Sequence, residues 1–399
     1  MNKLPVTAGG KPVRDSYLIF GNPVIEQSEI DDVADSLRSG WLGTGPKVKR
    51  FETAFRDYVG AKYAIAVNSC TAALHLSLLA IGLEPGDEVI TTPMTFTATA
   101  AAVIHAGAKP VFADIDRQTM NIDSEAVESR ITEKTKAIVP VHFAGRPCDM
   151  QSIMRLSQHH DLKIVEDAAH AIETQAQGRK VGSIGDLTCF SFYVTKNIVT
   201  GEGGMVTTEN CNYADRIKIL ALHGMTKDAW HRFGDEGFKH YQVIYPGFKY
   251  NMMDIQAAIG YNQLQRIEKY SLRREAIWQQ YNESFKDLPV IKPSDDMLPG
   301  DRHARHLYTL LLKLEELKIT RDQFMDALHK ENIGTGVHYI ALHLHPYYSE
   351  KYDLKRGMFP NAEYISDRTV SLPLSAKLTD GDVENVIEAV HKILNHYAK

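Results

Sequence analysis

Cysteine is scarce in this sequence. The 399 residues hold four, Cys70, Cys148, Cys189 and Cys211, and no two form a CxxC pair. So few exclude a disulfide framework and fit a reducing compartment. Long apolar runs are lacking as well. None approaches the roughly 20 residues that a membrane helix needs, and residues Met1 to Gly10 carry no apolar signal core. A cytoplasmic protein without a membrane partner is therefore expected. Charge of one sign is not in excess. A net charge of −5 with 24% charged residues argues against a broad nucleic-acid or lipid surface, although a local basic pocket for a phosphorylated ligand fits.

Several ligand signatures are also missing. There is no Walker motif. The glycine-rich turn Gly201-Glu202-Gly203-Gly204-Met205-Val206 lacks the third glycine of a dinucleotide fingerprint and its strand-to-helix setting, which counts against a nicotinamide dehydrogenase. His338, His343 and His345 with His142 have neither metal-ligand spacing nor a matching cysteine set, so no metal is expected. Trp230 with Arg232, and the Tyr347-Tyr348 pair, are aromatic candidates for stacking a base.

What is present is a core-forming chain. Hydrophobic residues make up 44% of it, and its length suits about two to three domains. A first helix is expected near Ser28, with Ser28 as cap, Asp31 at capping-box distance, and Ile30, Val33, Ala34 and Leu37 along one apolar face. Gly40 to Pro46 then reads as a loop. From Tyr63 onward short apolar runs alternate with helical patterns: Tyr63–Val67, Glu88–Ile90, Pro110–Phe112, Ala137–Val141, Lys163–Val165 and Thr188–Phe192. That alternation predicts an α/β fold, a mostly parallel sheet covered by helices, with ligands beyond the carboxyl ends of the strands. A long helix is expected over Met253–Arg274, a strand over Leu307–Leu312, and helices over Arg321–Lys330 and Val386–His396. These describe a large domain over 1–270 and a smaller α+β domain over 271–399.

Four strand ends carry candidate chemistry. Asn68-Ser69-Cys70-Thr71 turns from strand to helix, where free amides and hydroxyls form either an anion site or an ordinary cap. Glu166-Asp167 ends an apolar strand, three residues before His170. A buried carboxylate there needs a partner, and a cationic ring nitrogen, a helix cap or a salt bridge would each serve. Lys196 follows the strand Phe190-Ser191-Phe192 and precedes the glycine-rich turn. A lysine among apolar groups loses proton affinity and becomes a Schiff-base nucleophile, whereas lysines in general are solvated. Asn251, ahead of the long helix, is a cap or a polar ligand contact.

Together these segments resemble the DegT-type sugar aminotransferases, pyridoxal-phosphate (PLP) enzymes of the aspartate-aminotransferase fold, over nearly the whole chain. The likeness is carried by Ser39–Pro46, Gly86–Pro93, Glu166–His170, the stretch from Ser191 through Lys196 to Gly204, and Gly247–Asp254 with Gln256-Ala257-Ala258, in the family's order. It implies PLP fold type I with a mostly parallel seven-stranded sheet and a smaller α+β C-terminal domain. It implies that Lys196 carries the cofactor and shuttles the proton, and that Asp167 faces the pyridine nitrogen. His170 then stands near the phenolic oxygen and Phe96 stacks on the ring. Cys70, Thr71 and Ser191 contact the phosphate, with Asn251 supplied by the partner of a homodimer with shared active sites. Position 70 is Cys where relatives often carry Gly or Ala; a backbone amide contact survives that change. Thr44, Tyr193 and His338 are implied as contacts to the sugar.

The implied substrates are L-glutamate and a nucleotide-linked keto-sugar, aminated at C4. The likeness extends to enzymes forming UDP-4-amino-4-deoxy-arabinose, through Lys136–His142, Gly334–His338 and Ser371–Leu374. A related branch carries histidine in place of the lysine and dehydrates the sugar; Lys196 favours transamination. The rival readings are that dehydratase chemistry and a non-catalytic sensor of PLP or a sugar nucleotide.

Overall fold

The computed structural model describes residues 4–226 and 241–399. Trp230 and Arg232 lie outside the described residues.

The strands before residue 210 are β1 (Tyr63–Val67), β2 (Glu88–Thr91), β3 (Lys109–Phe112), β4 (Thr135–Ile138), β5 (Lys163–Asp167), β6 (Gln175–Ala176), β7 (Arg179–Lys180), β8 (Leu187–Ser191) and β9 (Gly204–Thr208). β6 and β7 form a small hairpin, and the other seven make one sheet in the order β1-β9-β8-β5-β4-β2-β3. β3, β2, β4, β5 and β8 pair in parallel, while β9 runs against both of its neighbours, β8 and β1. Val89, Ile90, Ile138, Ile164 and Val165 are fully buried, as expected of parallel strands covered on both faces. This is the expected α/β architecture.

The sequence reading names six of the seven strands. The seventh, β9, has threonine or glycine at three of its five positions and gives little apolar signal. Its polar groups are satisfied within the fold: Thr207 Oγ1 donates to the Gly182 carbonyl at 2.8 Å and Thr208 Oγ1 to the Asp186 carbonyl at 2.6 Å. The glycine-rich turn thus leads into a strand, not a helix.

Two helices depart from expectation. The first is Gln27–Ser39, capped by Glu26 in a reciprocal box with Glu29, not by Ser28 with Asp31. Its buried positions are Glu29 and Ser36, whereas Ile30 and Leu37 are 53% and 58% exposed. Glu29 faces inward because Arg266 and Gln263 reach it. The expected long helix is two, Asp254–Gln265 and Ile267–Ser284, broken at Arg266, whose guanidinium turns back to Glu29 and to Ser28 Oγ.

The C-terminal third builds an antiparallel sheet from β10 (Val290–Ile291), β11 (Tyr308–Leu312) and β12 (Thr369–Leu372), in that order. Its core includes Trp278, Tyr281, Tyr308, Phe324, Val386 and Ile393. The helix Arg321–Lys330 falls where expected; the last helix, Asp380–Tyr397, begins earlier, at a capping box between Thr379 and Asp382. Leu307, Leu311 and Leu342 pack with Met94 and Phe112, joining this part to the large sheet. Among the described residues no helix is long and apolar enough to cross a membrane.

Candidate active site

β5 lies inside the sheet between β4 and β8, so the groups at its carboxyl end sit at the centre of the molecule. Asp167 is its last residue and is buried. Thr99 Oγ1 donates to Asp167 Oδ2 at 2.7 Å and the Ala169 N–H to Oδ1 at 3.1 Å. Burial nevertheless raises the Asp167 carboxyl above its usual range, since these donors and the nearby Lys196 offset it only in part. Behind it, Glu166 is fully buried and pairs with His142 Nε2 at 2.9 Å. His142 Nδ1 accepts the Cys148 N–H at 3.1 Å, so the imidazole proton belongs on Nε2 and is donated to Glu166. His142 and Glu166 complete one another.

Lys196 sits in the turn after β8, its N–H bonded to the Tyr193 carbonyl at 2.8 Å. Burial pushes its ammonium down to about 8, against weaker upward pulls from Cys70 and Asp167. An amine at that value is only about one-tenth unprotonated at pH 7, but roughly two hundred times more so than a solvated lysine, which enlarges the neutral fraction that a nucleophile requires.

The helix Cys70–Ala80 starts directly beyond β1, with Ser69 as cap accepting the Ala72 N–H at 3.1 Å. β9 passes close to this helix start. A Cβ on Gly204 would stand 2.6 Å from the Ser69 carbonyl and 2.7 Å from the Cys70 nitrogen, so only glycine permits the approach. Burial and the nearby Asp167 hold the Cys70 thiol far above its usual range. It stays neutral and does not oppose an anion at the helix N-terminus.

One cleft of about 590 Å³ brings together Cys70, Thr71, Phe96, Asp167, His170, Ser191, Tyr193, Lys196 and His338. Phe96 precedes the helix Thr97–His105 and is 59% exposed. His170 Nδ1 accepts the Ala144 N–H at 3.2 Å, leaving Nε2 to meet the Tyr339 hydroxyl at 3.2 Å. His338 arrives from the C-terminal third, with Nδ1 2.8 Å from Ser371 Oγ. Burial and the Lys196 charge lower His338 to about 4 and hold His170 well below its usual value.

Thr44 and Asn251 are placed elsewhere. They line a second cavity of about 440 Å³ with Lys49, Glu52 and Lys218. Asn251 Nδ2 donates to Thr44 Oγ1 at 2.6 Å, Thr44 Oγ1 donates to the Met252 carbonyl at 2.6 Å, and Asn251 Oδ1 is buried with no partner. Tyr348 is buried, its hydroxyl 2.9 Å from Thr97 Oγ1, so the Tyr347-Tyr348 pair is not a free stacking surface. Among the described residues no three His, Cys, Asp or Glu side chains gather as a metal site.

Sequence reasoning missed Thr99, Tyr339, Asn197 and His306. Thr95 and Thr99, whose hydroxyls meet at 2.7 Å, open an alanine-rich helix beside Phe96, the one local signal available. Asn197 and Tyr339 adjoin the candidates Lys196 and His338, but the partners that give them a role, His306 and His170, are distant in the sequence.

A lysine and a carboxylate at the carboxyl edge of this sheet, facing a helix N-terminus, give the chain the architecture of the aspartate-aminotransferase-like enzymes. The chain belongs to the DegT/DnrJ/EryC1/StrS aminotransferase family, whose profile matches residues 23–391. It is 50% identical over 385 residues to the spore coat polysaccharide biosynthesis protein SpsC of Bacillus subtilis, covering 96% of this chain and 98% of that one. Spr1654 of Streptococcus pneumoniae, solved in its PMP form, matches with a TM-score of 0.89 at 34% identity, over 95% of this chain and 99% of that one. Helicobacter pylori PseC, an aminotransferase involved in the biosynthesis of pseudoaminic acid, matches with a TM-score of 0.88 at 31% identity, over 96% and 100%.

Proposed function

We propose that this protein moves the amino group of L-glutamate onto a nucleotide-linked 4-keto-sugar, most closely a UDP-sugar, for amino-sugar, surface-polysaccharide or antibiotic-sugar synthesis, with Lys196 holding pyridoxal phosphate. The observation that carries this reading is the pairing, in one cleft, of a desolvated lysine amine with a buried carboxylate short of counter-charge. Family membership and the name of SpsC support the sugar substrate. The cleft suits the cofactor: Asp167 needs a cation, as a protonated ring nitrogen would be, and the first turn of Cys70–Ala80 offers amides to a phosphate.

When bound, pyridoxal phosphate supplies an electron sink that makes the α-proton of an amino acid labile. Asp167 holds the proton on the ring nitrogen. Lys196 Nζ takes the proton from the glutamate α-carbon, and in the second half-reaction returns one at sugar C4, acting as base and then as acid. His170, with its proton on Nε2, is a hydrogen-bond donor for the phenolic oxygen. Phe96 presents an apolar face to the ring. The Cys70 and Thr71 amides with Ser191 Oγ hold the phosphate, and Asn251 of the partner subunit completes that site in a homodimer. Tyr193 and His338, with Thr44 beside Asn251 of the partner subunit, are the contacts for the sugar nucleotide.

The test is an absorbance spectrum of the purified protein with PLP, before and after L-glutamate. The expected result is a visible band that glutamate converts to the pyridoxamine form, with 2-oxoglutarate released, and no band in Lys196→Ala. A wild-type band unmoved by glutamate would shift the reading to another amino donor or to dehydratase chemistry, and ammonia released without a glutamate requirement would favour the dehydratase. A variant that keeps the band would remove Lys196 from its role.

A further inference from the structure

We infer, on the amino-transfer reading of the cleft, that His306 is a positioning residue: held in one tautomer by Asn197, its ring fixes the plane of His170.

Asn197 directly follows Lys196. Its Nδ2 donates to Glu173 Oε2 at 2.9 Å and to the Ala304 carbonyl at 3.2 Å. Two acceptors on one side determine which end of the amide is nitrogen. Asn197 Oδ1 therefore faces His306 Nδ1, 3.0 Å away, and since that oxygen only accepts, His306 carries its proton on Nδ1. The amide cannot turn over without leaving Glu173, which is fully buried and ion-paired with Arg274.

The His306 ring lies 4.5 Å from that of His170, inclined by 35°. The other rings around His170, those of Phe143, Tyr339 and His338, stand 6.3–6.4 Å away. The two histidines also share one residue, His170 by its ring and His306 by its backbone: the Ala144 N–H bonds His170 Nδ1 at 3.2 Å, and the Ala144 carbonyl accepts the His306 backbone N–H at 3.0 Å. The two bonds on the His170 ring, to the Ala144 N–H and the Tyr339 hydroxyl, are both 3.2 Å and restrain its rotation weakly, and the His306 face closes off that rotation. Burial and the Lys196 charge hold both rings neutral, so the brace adds no cation beside the lysine.

Two variants separate ring from donor. His306→Asn keeps a donor where Nδ1 stood and removes the remaining ring; His306→Phe keeps a ring and removes the donor. Nitrogen-15 NMR of the histidine side chains, on protein free of cofactor, reads the tautomers directly. In the parent, His306 should be neutral with its proton on Nδ1, and His170 with its proton on Nε2. His306→Asn should mix the His170 tautomers and, with cofactor, lower kcat about tenfold at nearly unchanged KM for glutamate. His306→Phe should preserve most of both. A parent His306 that is protonated at pH 7, or carries its proton on Nε2, would overturn the inference even if neither variant folds. So would an unchanged His170 in His306→Asn, or equal losses in both variants. Absence of glutamate turnover in the parent would sink the amino-transfer reading, while the NMR result would still judge the brace.

Discussion

An unfolded lysine titrates near pH 10.4, roughly, whereas burial brings Lys196 to about 8. Between those values the unfolded chain binds more protons than the folded one, so stability rises with pH through that window. Below the folded value the whole penalty is present, about 3 kcal/mol at about 1.4 kcal/mol per unit. Lys196→Met should therefore make the cofactor-free protein more stable than the parent at pH 7 by up to about 3 kcal/mol. The gain should fade as pH climbs toward about 10.4. Urea melts of both proteins at pH 7 and pH 10 check this, and an unchanged midpoint at pH 7 would mean the ammonium is solvated in the cleft. Thr99 calls for the opposite experiment. Thr99→Val removes the 2.7 Å donor to Asp167 at little change in volume. The lost bond is worth about 1–3 kcal/mol beside a buried acceptor. Asp167 should then protonate more readily, and bound cofactor should dissociate faster on dialysis. Retention equal to the parent's would show that Thr99 is only a packing residue.

Elements were legible where apolar periodicity decides them. Six strands of the large sheet and the helix Arg321–Lys330 read directly from their residues. The first helix was legible as a helix but not in its facing. Ile30 and Leu37 mark an apolar stripe, yet Glu29 turns inward because Arg266, over two hundred residues on, waits for it. Strand-end positions named Lys196, Asp167 and His170 as candidates because such ends converge in a parallel sheet. Thr99, Asn197 and His306 could not be found in this way, since each acts through a partner about 70 to 110 positions off. β9 shows the same limit at element scale: its threonines satisfy themselves on loops, and its Gly204 is required by the helix start it passes. Gly204→Ala would force apart β9 and the first turn of Cys70–Ala80. The expected cost is about 1–3 kcal/mol, as for other overpacked sites, with weakened hold on the cofactor phosphate. Thermal melts and PLP titration read the two effects, and parental PLP affinity in a destabilised variant would separate the helix start from the phosphate.

At the scale of the whole molecule, the chain ends in surfaces a lone subunit leaves open. Ile30 and Leu37 on the first helix, and Trp41 and Leu42 after it, are each more than 40% exposed. They lead toward Thr44, which bonds Asn251, whose buried Oδ1 has no partner. A buried polar atom left unpaired costs about 1–3 kcal/mol, a cost removed if Asn251 meets a group belonging to another subunit. The proposed homodimer makes a prediction that no single-subunit site would share. Lys196→Ala and Asn251→Ala should each be inactive or nearly so when purified alone. Unfolded together and refolded as a mixture, they should regain activity. In a mixed dimer, the site built on the Asn251→Ala chain has its own Lys196 and receives an intact Asn251 from its neighbour, while the other site lacks both. If Asn251 served the site of its own chain, every site in the mixture would lack one residue and no activity would return. Adding Ile30→Asp and Leu37→Asp to both chains should abolish the recovery by preventing assembly, with sedimentation reporting monomers. Dimers that persist with recovery would remove this helix face from the interface, and recovery among monomers would overturn the shared site.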